Sequence, residues 1–241
     1  MHCFPRASLL GCFASAALAQ TFIVDAANGP GTHFTEIATA VAVVPDGAVL
    51  DVRAGNYASF TIASKGMSVL CASGVTVPSG LGVTVTGTTA TQTVLLRGLR
   101  SAYGPLSLVG CQGLVVLQDC DSFPSGRIEV TGCAQVHAAN CLFGGFYGTG
   151  ATIDNSTAVF RDCVVTGGYD GMHTTASRVQ LVDCSVACTG YPSGPAIWMG
   201  GRVSVSQGQS GSKGMILGRL ILIMVPSKLG VVFCKSASYD R

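Results

Sequence analysis

Four cysteines in the middle of the chain fall on a fixed beat: Cys120, Cys141, Cys163 and Cys184, at steps of 21, 22 and 21 residues. A short polar residue precedes each of them (Asp119, Asn140, Asp162 and Asp183). Before that comes an alternating apolar run: Val115, Val116, Leu117; Val136, His137, Ala138; Ala158, Val159, Phe160; Val179, Gln180, Leu181. The beat runs back to Val94 and Leu99, and forward, after a step of 24, to Val203 and Gly208. Self-similarity at this period marks a solenoid, in which one turn cannot bury its apolar side without a stacked neighbour.

A second ladder interleaves with the first. Leu106, Ile128, Ala151, Met172 and Ile197 recur at 22, 23, 21 and 25 residues. Two residues on stand Leu108, Val130, Ile153, Thr174 and Met199, and three beyond those Cys111, Cys133, Ser156 and Ser177. Each turn therefore carries two strands whose alternate residues face a core. The Leu-x-x-Leu-x-Leu pattern of leucine-rich repeats is missing, and no helical period fits between the strands. The fold expected is all-β: a single-stranded, right-handed parallel β-helix of seven or eight turns of roughly 21–24 residues, each about 4.8 Å above the last. The hand follows the rule for parallel crossovers.

The chain has 241 residues, 48% of them apolar, enough for one sizeable core. Only 11% are charged and the net charge is +2, which supplies no basic stripe for nucleic acid. There is neither a Gly-rich phosphate loop nor a Cys-x-x-Cys zinc pair.

Residues 1–19 have the form of a secretory signal: Arg6, an apolar run over 7–18, and Ala17, Leu18, Ala19 as the cleavage site. Leu9, Leu10, Gly11 and Cys12 resemble a lipoprotein cleavage box, but too early to leave a full apolar stretch before it. Export to a periplasm, cell surface or extracellular space is expected. Nine cysteines then remain in an oxidising compartment. Two readings stand side by side: disulfides between rungs, or stacked reduced thiols. Rungs about 4.8 Å apart favour the second, because a disulfide brings its Cβ atoms to about 3.8 Å.

The β-helix domain is expected over 20–211, with a capping helix over 34–44 that lays Phe34, Ile37, Ala38, Val41 and Val44 on one face and stops at Pro45. From 212 to 241 the ladder is lost. The run over 214–225 is strongly apolar but contains Arg219 and is too short to span a bilayer. Three readings fit it: a strand plugging the end of the coil, an atypical last turn, or a truncated or misread frame, the last being preferred. The expected protein is a monomer with no integral membrane segment.

Phe34, Thr35, Glu36 and Ile37, then Ala38 and Ala40, then Pro45, Asp46 and Gly47, then Val52, Arg53, Ala54, Gly55, Asn56 and Tyr57 form an entry segment. It resembles that of the pectin-lyase-like right-handed parallel β-helix superfamily. The resemblance runs over about 22–208, strongly at the entry and by repeat pattern afterwards. It implies the same fold and hand. The superfamily holds lyases, glycosidases, esterases, epimerases and repeat proteins of other roles, so the resemblance names no single activity.

Outward positions of the second strand place Glu129, Asp154, His173 and Trp198 on one face within a few rungs. Asp170 lies just before His173, and Tyr147, Tyr169 and Tyr191 repeat at steps of 22 in the adjoining loops. This composition suits a saccharide groove: aromatic rings stack on sugars, while carboxylates bind hydroxyls or serve as acid and base. The candidate catalytic residues are Asp170, His173, Asp154 and Glu129. The candidate substrate-binding residues are Trp198, Tyr147, Tyr169, Tyr191 and Arg178, the last as a clamp for uronate carboxylates. The plainer reading is that a repeat reuses good packing positions. Arg161 and Arg178 have a second role open to them, pairing with the aspartate ladder. That ladder (Asp119, Asn140, Asp162, Asp183) is read as a set of corner residues rather than a calcium site, since Asp and Asn tolerate turn geometry. No metal ligand and no cofactor are assigned; Ca2+ is the one ion considered.

The catalytic elements of the resembled families are not found. Gln118, Asp119 and Cys120 only superficially match the Gln-Asp-Thr element of pectin methylesterases. Polygalacturonase elements and a pectate-lyase acid cluster are missing. The function expected is polysaccharide binding along one face, with cleavage by a lyase or glycoside hydrolase mechanism left open. The alternative is a non-catalytic surface, adhesion or structural module.

Overall fold

The computed structural model describes residues 19–78, 80, 82–123, 125–145, 148–188, 197–206, 220–225 and 228–233. The expected leader, Ala19 apart, lies outside these residues. Most of the described residues are in strands, which form a parallel β-solenoid of about six turns. Successive turns pair in parallel and in register, which is what makes the strands a coil rather than a sandwich or barrel.

Three parallel columns make up the coil. The first face stacks Thr21–Val24, Ala48–Val52, Met67–Cys71, Thr93–Arg97, Leu114–Gln118, Gln135–Ala139 and Thr157–Arg161, followed by the second half of Asp170–Val182. The second face stacks Phe60–Ala63, Val83–Thr86, Leu106–Val109, Ile128–Thr131 and Thr149–Asp154, followed by the first half of Asp170–Val182. Ile197–Ser206 continues both faces. A third, short column runs from Gly55–Asn56 through Val75–Val77 and Arg100–Ser101, bridges at Asp121 to Leu142–Gly145, and ends with Val164–Gly167 and Ser185–Cys188. The coil has about six turns, fewer than the seven or eight expected.

Both expected ladders point inward. Val115, Leu117, Val136, Phe160, Leu106, Leu108, Ile128, Val130, Ile153 and Met172 are wholly or almost wholly buried. Each such side chain contributes roughly 1.5–3 kcal/mol of burial free energy. The rings of Phe143 and Phe160 meet edge to face at 6.1 Å across the interior.

Two corners bend each turn, and both use left-handed backbone. After the first face stand Gly98, Asp119, Asn140, Asp162 and Asp183, the four non-glycines at φ of 52–54°. After the second face stand Ser64, Gly87, Gly110, Gly132, Asn155 and Ala176. Asp and Asn enter this region more readily than most residues, which accounts for the polar ladder before the cysteines. The inter-turn hydrogen-bond ladder continues around the corner: the Asp119 amide donates to the Ala139 carbonyl, and the Asn140 amide to that of Arg161, each at 3.0 Å.

Immediately after each corner comes a small inward residue that donates back across the bend. The Cys141 thiol reaches the Ala139 carbonyl at 3.2 Å, Cys163 that of Arg161 at 3.2 Å, and Cys184 that of Val182 at 3.2 Å. The Ser156 and Ser177 hydroxyls do the same to Asp154 and Thr175, each at 2.7 Å. All eight cysteines among the described residues are free thiols. Burial pushes Cys71 up to about 12. Hydrogen bonding with Cys120, then with Cys163, and burial all push Cys141 up.

The cap helix spans Ile37–Val43, shorter than expected. Its alanines favour helix, and Val44, extended before Pro45, ends it. Phe34 bridges to Val24 instead of joining the helix. Lys65, at a corner of the first turn, donates to the carbonyls of Val41 and Val44 at 2.8 and 2.7 Å, satisfying the helix end. At the far end, Leu220–Val225 and Lys228–Phe233 form an antiparallel pair laid against the last rung, with Trp198 opposite Gly230. The chain there switches from parallel stacking to antiparallel pairing. Among the described residues no helix is long and apolar enough to cross a membrane.

Candidate functional site

The second face brings most of the expected residues into register. Ser107, Glu129, Thr152, His173 and Trp198 are successive partners on neighbouring rungs. Beside them run Val109, Thr131, Asp154, Thr175 and Gly200. His173 and Trp198 are therefore adjacent, and Glu129 lies two rungs from His173, about 10 Å. Asp154 is diagonal to both Glu129 and His173. Parallel stacking at a period that varies by only a few residues keeps this face continuous.

Partners already occupy part of the face. Glu129 accepts from the Ser107 hydroxyl at 3.0 Å and pairs with Arg127 at 2.5 Å. Both contacts hold that carboxylate in place on the face. Asp154 and His173 are half-buried on the same surface.

Three expected residues sit elsewhere. Asp170 pairs with Thr149 at the start of its strand, three residues and about 10 Å from His173, so Asp170, His173 and Trp198 do not converge on one point. It belongs to a tight turn: a Cβ on Gly167 would lie 1.8 Å from the Asp170 carbonyl oxygen. Tyr169 is 60% exposed in that turn, its amide bonded to the Gly148 carbonyl at 3.0 Å. Arg178 lies past the corner, at the start of the first face, where it pairs with Thr157 and not with the aspartate ladder. Among the described residues Arg97 lies 3.9 Å from Asp119 of that ladder. Tyr147, Tyr191 and the Trp198 side chain lie outside the described residues.

A groove of about 310 Å³ opens at the corner between the second and first faces, beside Arg178. Gln112, Ala134, Asn155, Thr157 and Ala176 line it with Arg178, and Cys133 and Ser156 lie behind them. It exists because the corner tightens along the coil. Three residues separate Cys111 from the next buried strand residue, Val115; two separate Cys133 from Val136; one separates Ser156 from Ala158. That shrinking interval was the signal in the sequence for a recess at this position.

Among the described residues no group of three or more His, Cys, Asp or Glu side chains converges as a metal site would need. Comparison with known proteins gives no match to any family model, curated protein or solved structure.

Proposed function

We propose that this protein is an exported member of the pectin-lyase-like β-helix group that binds polysaccharide along its second face. One observation carries the reading: the unbroken register of Ser107, Glu129, Thr152, His173 and Trp198, with Thr131, Asp154 and Thr175 beside it. A straight row of hydroxyl, carboxylate and imidazole groups at about 4.8 Å suits an extended chain of sugars, which offers hydroxyls at every residue. The leader-like composition of the N-terminal residues supports export. Cleavage would fall to Asp154 and His173, with Asp170 less well placed and Glu129 already paired.

A structural rod with no ligand is the second reading. It is favoured by the Glu129–Arg127 pair, which spends one candidate acid on a fixed contact. Binding of the mature protein to a panel of neutral and acidic polysaccharides separates the two, with reducing ends and unsaturated-uronate absorbance recorded in parallel. Polysaccharide binding predicts that Thr152→Ala and His173→Ala each weaken association about tenfold. A protein that binds no member of the panel, or binds one equally well in both variants, is the rod.

A further inference from the structure

The corner beside the groove carries a pair of cations that the fold does not explain. Arg178 and Arg202 are register partners on adjacent rungs, about 4.8 Å apart. Both are exposed. Among the described residues neither makes an ion pair, whereas Arg53, Arg97, Arg100 and Arg127 each meet a carboxylate at 2.5–3.9 Å. Arg161 also lacks an ion pair among them, but its register partners are Ala139 and Val182, not a second cation. Like charges set opposite each other destabilise a sheet, and these two side chains lie outside the buried core. Arg178 also edges the groove, whose remaining polar lining is amide and hydroxyl (Gln112, Asn155, Thr157) with no acid. Guanidinium forks match the two or three oxygens of a carboxylate or sulfate, and such charge-assisted bonds are among the strongest a surface can make.

We propose that Arg178 and Arg202 form an oxyanion clamp for successive carboxylate or sulfate ester groups of an acidic glycan, with Gln112, Asn155 and Thr157 beside it taking hydroxyls. This rests on the polysaccharide reading and narrows it to acidic polymers. It also puts the charge recognition at the corner rather than on the face itself.

Isothermal titration with polygalacturonate, dextran sulfate and unsubstituted dextran tests the clamp. The proteins are the mature wild type and the variants Arg178→Gln, Arg202→Gln, Arg97→Gln and His173→Ala. The clamp predicts that at least one acidic polymer binds more tightly than dextran, and which one identifies the oxyanion. Arg178→Gln and Arg202→Gln each weaken that binding about tenfold, the loss of one charge-assisted bond, while Arg97→Gln leaves it unchanged. The melting midpoints of the two clamp variants equal or exceed that of the wild type, because removing one of two like charges relieves repulsion. A residue that merely supported the fold would lower them. Acidic binding that survives both clamp substitutions, or falls equally with Arg97→Gln, overturns the proposal. So does double-stranded DNA binding as tightly as the glycan, since that marks a diffuse polyanion patch. If polymers bind and depend on His173 but not on Arg178 or Arg202, the clamp is wrong and the face reading survives. If no polymer binds, both fall.

Discussion

Ser156 occupies the same place in its turn as Cys133 in the turn before: its hydroxyl accepts the Cys133 amide at 2.9 Å and donates to the Asp154 carbonyl at 2.7 Å. Cysteine and serine are thus alternatives at one position of the coil, defined by small volume and a donor aimed back across a left-handed corner. The cysteine ladder follows from that requirement and needs no disulfide.

Substitutions in the ladder should rank accordingly. Cys141→Ser keeps a donor to the Ala139 carbonyl and should cost about 1 kcal/mol or less. Cys141→Ala loses it and leaves a void, for about 1–2 kcal/mol. Cys141→Leu overpacks the column and should cost about 2 kcal/mol or more. Urea unfolding measures all three; Leu better tolerated than Ser would contradict the assignment.

Reduced, buried thiols have a chemical signature. Iodoacetamide should leave Cys111, Cys120, Cys133, Cys141 and Cys163 unmodified in the native protein and alkylate all five after denaturation without reductant. Mass spectrometry reads the difference. Thiols that appear only after reduction would mean that the ladder is cross-linked.

Ala176 holds φ at 48°, where its Cβ is crowded and neighbouring turns place Gly132 or Asn155. Ala176→Gly should therefore stabilise the protein by about 1 kcal/mol, while Gly132→Ala should destabilise it by a similar amount. Thermal melts of the two variants should move in opposite directions.

Asp25 anchors the entry turn. It accepts from Arg53 at 2.9 Å and from the amides of Ala27 and Gly29 at 2.9 and 3.1 Å. The Arg53 hydrogen bond first, then the Ala27 amide, holds its carboxyl below the usual 3.8. A depressed folded value means that its contribution is fully present above the unfolded value and is lost as pH falls through the folded one. Wild type should exceed Asp25→Asn in urea midpoint at pH 5 and above, with the gap closing below about pH 4. A gap that stays constant down to pH 2 would show that the carboxylate charge plays no part.

Both inner ladders and the polar corners were legible because a solenoid turns interval into contact. Leu106 and Ile128, or Cys120 and Cys141, are interchangeable positions, and burial selects the same residue class at each. The same rule placed Glu129, Thr152, His173 and Trp198 in one row. The third face was not legible. Its inward residues Val77, Ser101, Ser122, Phe143, Val165 and Val186 do recur, at steps of 24, 21, 21, 22 and 21. They are chemically mixed, however, and their strands are only two to four residues long. Arg178 was read as part of the sugar-binding set, but its position past the corner depends on backbone geometry at Ala176. The helix came out shorter than the apolar pattern because Phe34 pairs with Val24, a tertiary contact that overrides local periodicity.

The account stands or falls on rungs lying directly over one another. Spin labels at Thr84→Cys and His173→Cys, with Cys71, Cys184, Cys188 and Cys234 replaced by alanine, measure this directly by pulsed dipolar spectroscopy. Four rungs separate the two sites, so the backbone separation should be about 19 Å, and moving the first label to Thr61→Cys should add about 5 Å. A broad distribution, or no increase on moving the label, would contradict the stacked coil and the face built on it.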